Sequence, residues 1–363
     1  MPITVVSAEP IEGKIRREIA ILSSLGAHTV GQYVLVRLAD EEGRLGLGEA
    51  SVTSVWSGET QAGCINIIRE ILAPIVVGAD PFDTEWIMRR LDKAAFGNSF
   101  AKAALEMALL DLQGKILGVP VYKLLGGTSS DSAPGVRLKF VVGAVEADMA
   151  AQRAKRMTDA GWKAIKVKVG RNPKADVERL TAVRRAIGPD VFLSVDANGG
   201  YTVEEAIWVA ARLEKLEVAL FEQPTKRGDH VAMAEVRRRS AMPIMADESV
   251  FTPQDVIDVI RVGAADVLSL YPGKHGGIRA TQYLARTAES AGIACTIGSN
   301  LEREVATAAM MHVAVATGNI QCERFPGDLI GPLYFDAPLT QSPLMYKADR
   351  VFVPTEAGLG VTV

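Results

Sequence analysis

Between about residue 136 and residue 324 the sequence repeats one pattern, a short β-branched run followed by a longer amphipathic stretch, at intervals of roughly 25 residues. Eight runs read as strands: 136–142 (VRLKFVV), 163–169 (KAIKVKV), 191–196 (VFLSVD), 218–222 (VALFE), 243–247 (PIMAD), 266–271 (DVLSLY), 293–298 (IACTIG) and 319–324 (NIQCER). The stretches between them, such as 146–160, 203–214 and 278–291, place apolar residues at three- and four-residue spacing with charges on the other face. Strands separated by helices run parallel, and eight such units close into a barrel, so the expected class is α/β with a barrel of TIM type.

The first 130 residues follow another rule. QYVLVRLADEEGRLGLGEA reads as an antiparallel hairpin turning at Asp40 to Gly43, and 59–72, 81–94 and 99–117 read as helices. The last of these starts at a Ser99 cap and stops at Gly118, before Pro120. The division expected is an α+β domain over 1–130, the barrel over 131–330, and a segment 331–363 that returns to the first domain. A chain of 363 residues, 48% of them hydrophobic, has the core material for this. A net charge of -3 without a wide basic field argues against nucleic acid as a partner. Apolar runs such as Ile71 to Val77 are too short to span a bilayer, and the N-terminus lacks a signal-type segment, so the expectation is a cytoplasmic protein with no membrane partner. Cys64, Cys295 and Cys322 lack CxxC spacing and read as core thiols.

Chemistry is suggested by what stands at the strand ends, where barrel enzymes build their sites. The second strand ends in Lys166 and Lys168, the third in Asp196 with Asn198 just beyond, the fourth in Glu222, and the fifth in Asp247 followed by Glu248. From Lys168 the steps are 28, 26 and 25 residues, so each group holds the same place in its own repeat unit and the groups converge. Any one of these acids alone reads as a solvated strand end, but three in register would repel one another unless a cation sat among them. An all-oxygen set selects a hard ion, magnesium first, with manganese as a substitute. Lys166 and Lys168 point to the same side of their strand, where each disfavours the other's proton, which suits one of them to act as a base. A carbon acid next to a carboxylate gives up its proton if the resulting enediolate is stabilised, and a cation can do that.

KVKVG, SVDAN, LFEQP and MADES, in that order, resemble the enolase superfamily, and its muconate-lactonizing subgroup within the mandelate racemase/muconate lactonizing family. The likeness covers nearly the whole chain, and LDKAAFGNSFAKAALEMALLDLQGKILGVPVYKLLGG resembles the corresponding stretch of muconate cycloisomerases. The resemblance implies a modified (β/α)7β barrel under an α+β capping domain built from both chain ends. It implies Mg2+ or Mn2+ on Asp196, Glu222 and Asp247, Lys168 as acid/base, Lys166 as its carboxylate-binding neighbour, and Asn198 and Glu248 in support. A small carboxylate substrate and a symmetric homo-oligomer follow from it as well.

One position departs from the pattern. Where many members of the subgroup carry a second acid/base lysine, 24 residues after the strand-five aspartate, this chain has Tyr271. Lys274 aligns with a non-catalytic lysine, although a shifted loop would let it stand in, and His275 reads as a loop residue. Inverting a carbon centre needs a base on each face, whereas syn cycloisomerisation and syn dehydration need only one. The leading expectation is therefore an isomerase, a muconate-type cycloisomerase. The alternative is a lyase, a hydroxy-acid (acid sugar) dehydratase in which Lys274, Tyr271 or Asp328 helps the hydroxyl leave. A racemase or epimerase, or a catalytically silent carboxylate-binding protein, ranks below both. TIGSNLERE and ERFPGDLIGPLYF bring Ser299, Asn300, Glu302, Glu323 and Asp328 to the last two strands. The family pattern points to Asp328 as assisting the chemistry, with Glu323 as its rival. Loops near 20–30 and 50–60 offer Leu25, His28 and Trp56 for substrate binding.

Overall fold

A computed structural model describes residues 1–16, 21–24, 26–28, 30–128, 135–341 and 343–363, with Ala27 and His28 described in the backbone only. Leu25 and the His28 side chain therefore lie outside the described residues. The chain opens with β1 (Ile3–Lys14), β2 (Ile21–Ser23), β3 (Gly26–His28), β4 (Val30–Asp40) and β5 (Leu45–Val52). Strands β1, β4 and β5 form an antiparallel sheet in that order, and β2 pairs with β3. The expected hairpin is β4–β5. Its turn is built by Asp40, whose Oδ1 accepts the backbone N–H of Glu42 at 3.0 Å and of Arg44 at 2.9 Å, while Gly43 takes the positive φ of 76° that closes the loop.

The helix Ser99–Leu117 lies against β5 and is buried on almost every side. It ends at Gly118 in the left-handed conformation, as the sequence indicates, but its start differs. The cap position is Asn98, and no side chain on the helix itself caps the free N–H groups. Glu59 does so from outside, accepting from Phe100 N at 2.9 Å and Ala101 N at 3.2 Å.

The run 136–142 is divided in two. Its first part is β6 (Gly135–Arg137), which pairs antiparallel with a strand from the tail, and its second is β7 (Phe140–Val142), the first strand of the barrel. Then come β8 (Ala164–Lys168), β9 (Phe192–Asp196), β10 (Leu220–Glu222), β11 (Ile244–Ala246), β12 (Val267–Leu270) and β13 (Ala294–Ile297). These seven strands pair parallel in sequence order, so the sheet curls with each strand beside its chain neighbours. The expected eighth strand, 319–324, does not form a ladder. Single parallel bridges, Cys295 with Ile320 and Leu138 with Gly327, close the barrel instead. Pro326 has no N–H to donate, and the turn at 322–324 takes the chain out of register between the two bridges. The tail supplies β14 (Met345–Lys347) and β15 (Arg350–Phe352), the latter paired with β6. It then runs beside the long helix, where Gly358 exchanges hydrogen bonds with Val119 and Val121, and Leu359 N donates to Asp111 at 2.7 Å. Among the described residues no helix is long and apolar enough to cross a membrane.

Two carboxylates from the N-terminal region seat on barrel helices. Glu49 of β5 accepts from Arg303 N and Ala306 N at 2.6 and 3.1 Å, at the start of the helix Glu304–Ala316. Glu106 of the long helix accepts from Ile278 N and Arg279 N at the start of the helix Ile278–Ser290. Burial pushes the Glu49 carboxyl up to about 8 and that of Glu106 up to about 7. Glu106→Ala strands two buried N–H groups and is expected to lower stability by about 2–3 kcal/mol, read as a lower urea midpoint. Glu106→Gln keeps an acceptor and loses less than half of that. Equal midpoints for the two variants would show that the cap contributes nothing.

Candidate active site

The strand ladder explains why the ionisable groups meet. Lys168 pairs with Asp196 across β8 and β9, and Asp196 pairs with Glu222 across β9 and β10, so three charged side chains stand level on adjacent parallel strands. Lys166, two residues back, points to the same side. A cleft of about 650 Å³, partly open to solvent, is lined by Lys166, Lys168, Asp196, Asn198, Glu222, Asp247 and Asp328, with Trp56, Tyr271 and Asn300 among its walls.

Each acid in the cleft is drawn to an ammonium. Lys168 Nζ lies 2.6 Å from Asp196 Oδ2 and 3.0 Å from Asn198 Oδ1. Lys166 Nζ is shared among Asp328 at 2.7 Å, Glu222 at 3.1 Å and Asp196 at 3.5 Å. Burial works to lower the Lys166 pKa, but these three carboxylates together hold it well above the usual lysine range. The mutual-repulsion argument from KxK alone thus fails for Lys166. Its nearest charges are anions on β9, on β10 and just past the Leu138–Gly327 bridge, which the sequence spacing of the two lysines does not register. Burial raises the Asp196 carboxyl, but Lys168 and Lys166 outweigh it and leave the group below the usual range. Glu222 goes the other way, up to about 8, pushed first by burial and then by Asp196.

Behind this row, Asn198 bridges two acids through its amide, donating to Asp196 Oδ2 at 3.3 Å and Glu248 Oε1 at 2.8 Å. Glu248 Oε2 has no partner, and burial with Asp247 nearby pushes its carboxyl up to about 7. Trp56 is buried, its indole N–H 3.4 Å from Glu248 and its ring stacked on Tyr271 with centroids 5.6 Å apart. Tyr271 follows directly on β12, diametrically across the strand order from β8. Lys274 is fully buried and donates to Asp247 Oδ1, Asp247 O and Ser269 O at 2.6, 2.9 and 2.6 Å. All three of its protons are engaged and it does not line the cleft, which removes it as a stand-in for the strand-six lysine.

The last strands sort the remaining expected residues. Asp328 lines the cleft, while Glu323 stands exposed outside it, paired with Arg350 at 2.6 and 2.7 Å. The turn at 322–324 rotates Glu323 away, and this corrects its placement as a rival. Ser299 and Asn300 line the cleft, Asn300 tied to Ser51 and Thr53 of the N-terminal region. Glu302 turns back into its own loop, accepting from Ser299 Oγ and Asn300 N, and contributes no surface to the cleft. From the N-terminal loops, Ile21 and Ser23 line the mouth, and Ser24 Oγ donates to Ala197 O at 3.1 Å, holding that loop over β9.

Sequence reasoning missed three residues. Lys139, fully buried just before β7, lies 3.0 Å from Asp328 Oδ2. Gln223 accepts from Asp247 N and Ser249 N and donates to Ser249 Oγ, fastening the end of β10 to that of β11. Asp176 accepts from the backbone N–H groups of Gly170, Arg171 and Asn172, and so fixes the loop that follows Lys168. A lone lysine inside an apolar run was the one available signal, since a buried ammonium requires a partner.

As the side chains stand, among the described residues no three acids close on a common point at ligating distance, because ammonium groups stand between them. The donor set nevertheless suits a hard divalent cation. It is oxygen only, Glu248 Oε2 next to Asp247 lacks a partner, and after burial, the largest cause, Asp196 and Asp247 add to the rise of the Glu222 carboxyl, which places the three acids near one another.

Residues 11–126 match the mandelate racemase/muconate lactonizing enzyme N-terminal domain and residues 148–363 match the enolase C-terminal domain-like family. The chain therefore belongs to the mandelate racemase/muconate lactonizing family of the enolase superfamily. It is 35% identical to a chloromuconate cycloisomerase of Cupriavidus pinatubonensis over 95% of this chain and 92% of that protein. It is 33% identical to an N-succinyl-L-Arg/Lys racemase of Bacillus cereus over 93% of this chain and 92% of that one. Its fold matches a dipeptide epimerase of Enterococcus faecalis, solved with Mg and the dipeptide L-Leu-L-Tyr, with a TM-score of 0.94, 30% identity and full coverage of both chains. The relatives agree on an enzyme of this superfamily and divide on the reaction.

Proposed function

We propose that this enzyme is a one-base isomerase of the muconate cycloisomerase type, acting on a small carboxylate with a divalent metal, Mg2+ or Mn2+, held by Asp196, Glu222 and Asp247. The observation that carries this is the asymmetry of the cleft. Lys168 stands at the end of β8, and the opposite wall holds Tyr271, stacked on Trp56 with the Lys274 ammonium 4.7 Å from its ring. Burial, and then Asp247, raise the Tyr271 phenol well above its usual range, so it is a poor second proton carrier near neutral pH. Racemases need that second carrier and cycloisomerases do not.

When bound, the cation supplies positive charge where the substrate carboxylate gathers electron density. The remaining roles fall to the chain. Lys166 stays charged and holds carboxylate. Trp56 and Tyr271 wall off water. As one substrate carboxylate oxygen adds to an alkene carbon, the alkene electrons move to the carbon next to the other carboxylate, and Lys168 Nζ delivers a proton there. Asn198, by fixing both Lys168 and Asp196, sets the direction of that proton.

The test is to incubate the Mg2+-loaded protein in deuterated water with cis,cis-muconate and a panel of other acids. A lactone with one deuterium at a single face is the expected product. Exchange that scrambles configuration would overturn the one-base reading, and loss of water from a hydroxy acid without lactone formation would reassign the enzyme as a syn dehydratase.

A further inference from the structure

We infer that Lys139 determines which substrates the cleft accepts: it holds Asp328 as a counter-ion, so Asp328 is not free to take an ammonium, and the site selects a dicarboxylate without one. This rests on the proposed reading that the cleft is the substrate site.

Lys139 is fully buried, and its Nζ touches Pro326 O at 2.6 Å and Asp328 Oδ2 at 3.0 Å. Lys166 reaches the same oxygen at 2.7 Å but divides its charge between Glu222 and Asp196 as well. Asp328 is the carboxylate that pairs with Lys139, which makes that lysine its dedicated neutralising charge. The balance at Asp328 is local: one carboxylate oxygen meets two buried ammonium groups, Lys139 at 3.0 Å and Lys166 at 2.7 Å. A substrate ammonium near Asp328 then meets two lysines and no spare anion, whereas a second carboxylate is attracted. Asp328 Oδ1 still lacks a donor, a need that a neutral O–H or N–H meets without adding charge. Any dipeptide brings an ammonium, so this chain is expected to differ in preference from relatives named for dipeptides.

The probe is a matched pair, 2-hydroxyadipate and 2-aminoadipate, which differ only in a hydroxyl for an ammonium, with affinities measured by calorimetry on the Mg2+-loaded protein. The wild type is expected to bind the hydroxy acid about tenfold or more tightly than the amino acid, and Lys139→Met to shrink that ratio about fivefold or more. Lys139→Arg keeps the charge and should keep the ratio. Should Lys139→Met fail to fold, Asp328→Asn decides the matter through absolute affinities: with Lys139 and Lys166 less compensated, 2-hydroxyadipate is expected to bind several-fold more tightly than to the wild type, whereas a loss confined to 2-aminoadipate with 2-hydroxyadipate unchanged would reveal Asp328 as an ammonium partner and overturn the inference. Equal affinities in the wild type, an unchanged ratio in folded Lys139→Met, or no binding of 2-hydroxyadipate would also overturn it. These are binding readouts, so they fail separately from the isomerase reading, which falls when no acid of the deuterium panel is turned over.

Discussion

Replacing Lys168 with alanine is expected to slow lactone formation and α-proton exchange by about 10²–10⁴-fold, the usual span for losing a positioned proton carrier. The fold should survive, because Lys168 lies at the edge of the cleft, its side chain 12% exposed, and Asp196 keeps Lys166 and Asn198 as partners. Lys168→Arg makes the sharper comparison. Arginine can preserve the ion pair with Asp196 but does not give up its proton at neutral pH, so an electrostatic role would be rescued and a proton-carrying role would not. The expected result is that both variants are inactive with wild-type thermal midpoints. Turnover by Lys168→Arg at near wild-type rate would remove Lys168 from the proton path. Lys166 offers a contrast, since its ammonium is shared by three buried carboxylates, so Lys166→Met should damage stability along with activity.

The site was legible where it depended on repeat arithmetic, and illegible where it depended on contacts between distant segments. Lys168, Asp196 and Glu222 were readable because a parallel ladder converts equal sequence steps into equal height, which the register reproduces pair by pair. Tyr271 and Asp328 followed from aligning motifs around short strands. Lys139 was hidden because an ammonium in the middle of VRLKFVV gives no sign of its partner 189 residues on, and the run itself is broken where the chain passes from the tail's sheet into the barrel. The eighth strand failed for a related reason: NIQCER has strand-forming residues, but closure needs only a bridge at each side, and Pro326 prevents more. Glu49, Glu59 and Glu106 were likewise unreadable as caps. A carboxylate that caps a helix elsewhere in the chain leaves no local pattern, unlike Thr202 with Glu205, whose reciprocal cap lies within four residues.

The position least tolerant of change is expected to lie outside the cleft, at Gly48. In β5, Gly46 and Gly48 share a face, and that face meets Ala104 and Ala108, one turn apart on the helix Ser99–Leu117. A Cβ on Gly48 would sit 1.8 Å from the carbonyl oxygen of Ala104, and one on Gly46 would sit 2.1 Å from that of Ala108. Neither glycine needs a left-handed backbone, so the requirement is the closeness of strand and helix alone. Because the obstacle is backbone, no rotamer relieves it, and the helix must move away from the sheet. That helix carries Phe100 against Trp56 and Glu106 onto the helix Ile278–Ser290, so displacement loosens a wall of the cleft and a helix cap at once. Gly48→Ala should therefore cost about 3 kcal/mol or more, with the urea midpoint falling accordingly. Adding Ala104→Gly should not rescue it, since the clash is with the carbonyl and not the methyl. Gly318→Ala is the control: nothing lies within 4 Å of its Cβ, and its midpoint should match the wild type. If Gly48→Ala and Gly318→Ala unfold at the same urea concentration, the close approach of β5 and the helix is not what holds the cap over the barrel.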